Sequence, residues 1–254
     1  MVLPLASGEF APLAPSGRPA FWAVTGRLGG VSRGPFDQAN LADHVGDSLA
    51  AVMENRASLA AVVDLSSEHL VHMAPVHGAS HAFVDSGGQA GEVDALITTS
   101  DTLGLVALGA DCATVGIHAW GPESGVAIAA VHCGWKGLCA DVLGATLAQL
   151  RSLGATKFQA VIGPAICGGC YKVGEERIQT VTESCAPDVA RAALAFAGGI
   201  DVREGLFVAL TVAGIPTQIA GGCTFENSEE LFSYRRNNVT GRQGLVIRIG
   251  GASA

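Results

Sequence analysis

The sequence predicts an α+β chain (mixed α/β) built on a mixed sheet, and three observations carry that expectation. Short apolar runs, several rich in Val and Ile, recur from residue 93 onward and are too short to favour helices. Segments with apolar residues at helical spacing lie between them. Turns containing Gly or Pro separate the two kinds of segment, with no internal repeat, low-complexity tract or linker. Of the 254 residues, 49% are hydrophobic and 15% charged. That is ample apolar surface for a core and too little charge for a disordered chain. One domain over residues 1–254 is expected.

The elements follow in order. The N-terminal stretch MVLPLASGEFAPLAPSGRPAF has no basic residue before Arg18 and no long apolar core, so it does not read as a signal peptide. GRLGGVSRGPFDQANLADHVGD (26–47) is rich in Gly, Pro and Asn and reads as loop. DSLAAVMENRASLAAV (47–62) reads as an amphipathic helix, and SEHLVHMAPVHG (67–78) ends in a turn. VDALITT (93–99), GLVALGADCATVGIHAW (104–120) and GVAIAAVHCG (125–134) have strand character. KGLCADVLGATLAQLRSLG (136–154) reads as a helix stopping at Gly154. FQAVIGP (158–164) is a buried strand with a Gly-Pro end. Residues 173–185, 187–198 and 201–214 read as helices, and QGLVIRIGG (243–251) as a closing strand.

The net charge of −8 gives no case for nucleic acid or an anionic membrane as a partner, though a local Arg or Lys cluster can still hold a small anion. No run reaches the roughly 18 apolar residues of a membrane span. Seven cysteines, an odd number, without an export signal read as reduced thiols in a cytoplasmic protein.

Three short motifs carry chemistry: PVHG with His77, ADC with Cys112 and VHCGW with His132. Two imidazoles and a thiolate make a three-ligand set, the number that catalytic zinc sites use while leaving the fourth position for water or substrate. Such a site lowers the pKa of bound water from roughly 16 to about 7. The residues alone leave a plainer reading open. A Cys on an apolar strand is commonly a small buried hydrophobe, and no CxxC or HxxxH spacing ties the three together.

The motifs GPFDQANLADHVGD…NR, PVHG, VDALIT, GADC, AAVHCGWKG, IGPAICGGCYKVG and LFSYRRNNVTGRQG occur in this order from about Gly29 to Gly244. Together they resemble the laccase-domain family, also called the YfiH-like or multicopper polyphenol oxidoreductase family. The resemblance implies a layered sandwich with mixed sheets flanked by helices. It implies a zinc-dependent purine nucleoside phosphorylase acting on adenosine, inosine and related nucleosides with phosphate, and an adenosine deaminase activity beside it. By motif it assigns zinc to His77, Cys112 and His132, which then carry the catalysis, and substrate binding to Asn40 and Arg56. Trp135 is expected to pack beneath the site. The chain departs from the family pattern at Pro75, where Gln is usual, at Cys133 and Lys136 in the HCGWKG turn, and at Thr114 and His118 in the ADC strand.

Other readings stay open beside this one. A copper-dependent polyphenol oxidase (laccase) is less favoured, because the chain has seven His and no His-X-His pair. A metal-free cysteine hydrolase would use Cys112 as nucleophile with His132 or His77 as base. A peptidoglycan-precursor editing hydrolase and a non-enzymatic protein with a vestigial site complete the set. In the CGGC turn, Cys167 and Cys170 offer the spacing of a redox or metal half-site, but the turn follows Gly-Pro rather than opening a helix. Cys133 and Cys139 are the nearby candidates for the second pair it would need, so a second site is not favoured. Arg235, Arg236 and Arg242 form a basic cluster that reads as a salt-bridged edge in preference to a phosphate or substrate contact. His44, His72, His81 and His118 read as ordinary polar residues. The oligomeric state is not legible.

Overall fold

The protein is described here from a computed structural model covering residues 1–123 and 125–250. Its elements in chain order are β1 (Pro4–Phe10), β2 (Ala20–Thr25), α1 (Leu49–Val62), β3 (Leu70–His72), β4 (His81–Phe83), β5 (Gly88–Gln89), β6 (Ala95–Thr98), β7 (Gly104–Gly109), β8 (Ala113–Gly121), β9 (Gly125–Cys133), α2 (Trp135–Cys139), α3 (Val142–Ser152), β10 (Lys157–Ile162), α4 (Glu175–Ser184), α5 (Pro187–Ala193), α6 (Val202–Val212), β11 (Thr217–Ile219), α7 (Tyr234–Asn237) and β12 (Gln243–Ile249).

The central strands are apolar on both faces because both faces are covered. In β12, Leu245, Ile247 and Ile249 enter one cluster with Trp22 and Val24 of β2 and with Ile128 and Ala130 of β9. Val246 of the same strand enters another, with Phe21, Ala23 and Leu59 of α1. On the far side, Ala129 and Val131 of β9 join Val115, Ile117, Leu147 and Leu206 under α3 and α6. The result is four layers: α1, a first sheet, a second sheet, and the remaining long helices. The first sheet has the order β1-β2-β12-β7-β3-β5 and the second β11-β10-β8-β9-β6-β4. Both are mixed. The first is antiparallel except at β7-β3-β5, and the second antiparallel except at its two edges.

Three local readings are corrected. The strand-like stretch 104–120 is two strands in different sheets, because residues 110–112 turn the chain from β7 across to β8. That turn is tight: a Cβ at Gly109 would stand 2.5 Å from the Cys112 carbonyl oxygen, and Asp111 takes φ 106°. The stretch 136–154 is two helices. Asp141, at φ 54°, breaks it and caps α3 by accepting the Gly144 N–H at 3.0 Å. The layered sandwich of mixed sheets flanked by helices is present as the resemblance implies, but β1 and β2 come from a stretch without a legible strand. β2 (AFWAVT) is buried along its whole length, so it shows no alternation to read. No helix among the described residues is long and apolar enough to cross a membrane.

Candidate metal centre

The crossing from β7 to β8 brings the motif residues together. β8 and β9 are antiparallel with Ala113 opposite Cys133 and Thr114 opposite His132. Cys112, one residue before β8, therefore faces Gly134, one residue beyond β9. The loop from β3 to β4 brings in His77. One ligand atom each from His77, Cys112 and His132 lies within 4.8 Å of the other two. The imidazoles of His77 and His132 meet edge to face, with centroids 4.9 Å apart and planes at 89°. His132 is buried, Cys112 half-buried and His77 exposed, so the group opens to solvent at His77.

Gly134 keeps the space beside the donors free. A Cβ there would stand 3.0 Å from Cys112 Sγ and 3.1 Å from His77 Cδ2. His77 itself has φ 61°, a left-handed backbone uncommon for residues other than Gly. Asp94 holds it there. This fully buried carboxylate, just before β6, accepts the backbone N–H of His77 at 2.9 Å and of Gly78 at 2.7 Å. It also accepts from His132 Nδ1 at 3.1 Å. Burial would push the Asp94 carboxyl up, but these donors hold it below the usual carboxylate range. An ionised carboxylate only accepts, so Nδ1 of His132 carries the proton and Nε2 is the nitrogen left for a ligand role. The backbone carbonyl of Asp94 adds a bond from the His132 N–H at 2.8 Å.

Electrostatics favour the thiolate. Burial would raise the Cys112 thiol, yet the charge and hydrogen bond of His132, with help from His77, bring it down to about 6. Burial would lower His132, yet Cys112 and Asp94 carry it up to about 9. A thiolate is the form that ligates a metal or attacks an electrophile.

The donor set suits a soft or borderline ion. A thiolate and two imidazoles are preferred zinc ligands, three is the catalytic number, and the carboxylate behind His132 is the usual orienting partner.

Arginine–aromatic pairs form a rim on the side of Cys112. Arg242 lies 5.7 Å over the ring of Tyr234, Arg235 4.8 Å over Tyr171, and Arg177 5.4 Å over Trp135. Burial lowers the Arg242 pKa against the opposing charge of Cys112, Asp111 and Tyr234. Burial raises the Tyr171 phenol; Arg177 and Arg235 oppose it and Cys112 adds to it. Both side chains thus feel the Cys112 charge.

The C-terminal arginines are not the salt-bridged edge expected of them. Among the described residues none of their side chains pairs with a carboxylate. Arg236 donates instead to the carbonyls of Thr224, Phe225 and Leu231 at 2.7–2.9 Å, and Arg242 to those of Thr240 and Gly241.

Asn40 and Arg56 lie on the same side of the chain's first sheet; Asn40 has all its hydrogen bonds committed to protein, and Arg56 bonds protein through Nε and Nη2. Asn40 is fully buried. Its Nδ2 donates to Ala42 O and Asp47 Oδ2, both at 2.9 Å, and its Oδ1 accepts from the Ala42 and Arg242 backbone N–H groups, both at 3.0 Å. An amide has no further capacity. Arg56 donates from Nε to Leu41 O at 2.9 Å and pairs through Nη2 with Asp43 at 3.2 Å.

Asp94 and Asp111 were missed as site residues. The available signal was an acid at the edge of an apolar run, in VDALIT and in GADC. The expected complement of the CGGC turn is also corrected. Cys133 is buried on the helix side, with Cys139 and Cys185 among its neighbours, whereas Cys167 and Cys170 lie beside Cys223 and Glu226.

A four-layer sandwich with a His-Cys-His group at the crossing between its sheets defines a class of protein, and comparison identifies it. Residues 21–250 match the family described as multi-copper polyphenol oxidoreductase laccase, and the chain belongs to that family. It is 38% identical, over 92% of its length and 96% of the relative's, to a protein of Corynebacterium glutamicum named purine nucleoside phosphorylase. A protein of the same name from Streptomyces griseus is 36% identical over 90% of this chain and 94% of its own. The crystal structure of YlmD from Geobacillus stearothermophilus superposes with a TM-score of 0.79 at 28% identity, covering 94% of each chain.

Proposed function

We propose that the protein is a zinc-dependent purine nucleoside phosphorylase that cleaves adenosine, inosine and related nucleosides with phosphate, and that it also deaminates adenosine. The observation that carries this reading is the convergence of His77, Cys112 and His132 within 4.8 Å. The names of the relatives from Corynebacterium and Streptomyces support the substrate class.

His77, Cys112 and His132 are the residues that would hold the ion. When bound, zinc supplies Lewis acidity and makes hydroxide accessible at neutral pH. The chain's own residues supply the rest. Asp94 fixes the orientation of His132 and the backbone of His77. The rim offers what a nucleoside and phosphate need: flat faces at Trp135, Tyr171 and Tyr234 for a purine ring, and guanidinium groups at Arg177, Arg235 and Arg242 for an anion. In phosphorolysis an oxygen of phosphate bonds to the anomeric carbon while the bond to the base nitrogen breaks, and the base takes up a proton. Positive charge fixed at the rim favours the binding of that nucleophile. Asn40 and Arg56 contribute by position, Asn40 by holding the Arg242 backbone and Arg56 by bracing the loop of Leu41 and Asp43. Copper is disfavoured by the lack of His-X-His pairs.

One observation favours a second reading. Cys112 Sγ lies beside two imidazoles, the pairing of a nucleophile with a base. One experiment separates the two. The purified protein is analysed for metal and incubated with adenosine or inosine, with and without phosphate. Phosphate-dependent release of free base and ribose 1-phosphate, lost on chelation and restored by zinc, is expected. Formation of inosine from adenosine without phosphate reports the deaminase. Activity that survives chelation but is abolished by a thiol-directed electrophile, with a covalent adduct at Cys112, would establish the cysteine reading instead.

A further inference from the structure

The CGGC turn finds its complement in the tertiary structure. One ligand atom each from Cys167, Cys170, Cys223 and Glu226 lies within 4.8 Å of all the others. Both arms space their donors alike, as Cys167-Gly-Gly-Cys170 and Cys223-Thr-Phe-Glu226. Two residues between paired donors is common spacing in structural zinc sites. We propose that these four side chains form a second metal site, for a thiophilic divalent cation of the zinc class, closed by four protein donors.

Distances fit. Zinc–sulfur bonds of about 2.3 Å in a tetrahedron put sulfur atoms roughly 3.8 Å apart, and zinc–oxygen bonds near 2.1 Å shorten the mixed edges. Cys170 Sγ and a Glu226 carboxylate oxygen stand 3.5 Å apart, and no pair needs to close by more than about 1 Å. The backbone is already set for it. The N–H groups of Cys170 and Tyr171 both donate to the Cys167 carbonyl, at 3.0 and 2.9 Å, and so tie the turn. Gly168 N–H is anchored on the buried Asp201 carboxylate at 3.0 Å, and a Cβ on Gly168 would strike the Phe196 ring at 2.7 Å. The other arm is pinned where Cys223 bridges to Ala165 and the Thr224 N–H donates to the Ala165 carbonyl at 3.2 Å. The Cys167 N–H points at Cys223 Sγ at 3.4 Å, the kind of donor that steadies a metal-bound thiolate.

A redox dithiol fits less well. The turn does not open a helix, the usual setting of a redox CxxC. A cation instead satisfies the crowding of three thiols and a carboxylate that the fold brings together.

The placement also says what the ion would do. Ile166, next to Cys167, donates its N–H to the Asp111 carbonyl at 3.0 Å. Thr224, next to Cys223, donates its hydroxyl to Asp111 Oδ1 at 2.6 Å. An ion gripping both arms therefore steadies the residue that precedes Cys112.

The test uses the full chain with cobalt(II) as a spectroscopic probe. A variant carrying His77→Ala, Cys112→Ser and His132→Ala removes the first centre. It should still bind one cobalt per chain, with a sulfur-to-cobalt charge-transfer band. Adding Cys223→Ser should abolish that band. Adding Glu226→Gln, an exposed position that spares the fold if Cys223→Ser does not, should weaken cobalt binding at least about tenfold. A folded triple variant that binds no cobalt, binding indifferent to both added substitutions, or a Cys167–Cys170 disulfide in place of metal in protein purified without reductant would each overturn the proposal.

Discussion

The His77–Cys112–His132 group and the Cys167–Cys170–Cys223–Glu226 group sit on either side of Asp111, yet they differ in donor number and support. The first has three donors, a glycine that keeps the space beside them clear, and one exposed imidazole. The second has four donors on two turns tied by backbone bonds. Three donors with an open side suit chemistry, and four suit a brace. Neighbouring clusters of similar side chains thus acquire different capacities from how many donors the backbone delivers and whether a space is kept free beside them.

The most damaging test of this contrast is Cys112→Ser. It should remove metal from the first centre and cut nucleoside turnover by more than the roughly 10- to 100-fold expected for a residue that only orients a ligand, while cobalt–thiolate absorption from the second persists. Loss of both signals together would merge the two regions into one site. Asp94→Asn comes next. It keeps the shape but loses the charge that fixes the His132 tautomer, so metal affinity at the first centre and turnover should fall roughly 10- to 100-fold, with the second centre untouched in the cobalt titration.

Asp111→Asn sharpens the comparison, because Asp111 touches both regions. Its carboxylate accepts from Thr224 Oγ1 and from the Arg235 N–H, both at 2.6 Å. An amide can accept only one of these well, so a loss of about 1–3 kcal/mol is expected in denaturant unfolding. Weaker metal retention at both centres should accompany it. Full occupancy of both would show that Asp111 links them in space only.

The smallest effect serves as a control away from both centres. His118 is fully buried in β8 and stacks on Phe10 at 6.0 Å. Burial holds its pKa at about 4, with the Arg18 backbone opposing. Since the unfolded chain takes up that proton near pH 6.5, stability is full above 6.5, falls as the pH drops from 6.5 to about 4, and levels off below. Over that window His118→Phe should flatten the pH dependence of unfolding by up to about 1.4 kcal/mol per pH unit, leaving metal content at both centres unchanged.

Several features were legible because they are local. β9, β10 and β12 stand out as apolar runs of strand length between turns, and α4 and α6 as periodic segments, since burial on one or two faces writes itself into consecutive residues. The donors of the first centre were legible through short motifs whose order along the chain resembles a known family. Asp94 was not singled out, because its partners are 16, 17 and 38 residues away. Glu226 was not either, because nothing beside it marks an exposed carboxylate as a partner for a thiol 56 residues earlier. For Asn40 the motif resemblance suggested a ligand contact, while its four hydrogen bonds, one of them to the backbone 202 residues away, go to protein.

The sequence by itself determined the alternation of apolar strands and helices, the absence of a long apolar run, and the identity of the thiol and imidazole donors. Each of these is a property of neighbouring residues or of side-chain chemistry. Only the tertiary structure decided that residues 104–120 divide between two sheets, that the crossing at 110–112 carries Cys112 to His77 and His132, and that the two halves of the thiol cluster meet. Those outcomes depend on closing long loops against a shared core. The free energy of such closure comes from burying both faces of both sheets at once, which no single stretch of the chain encodes.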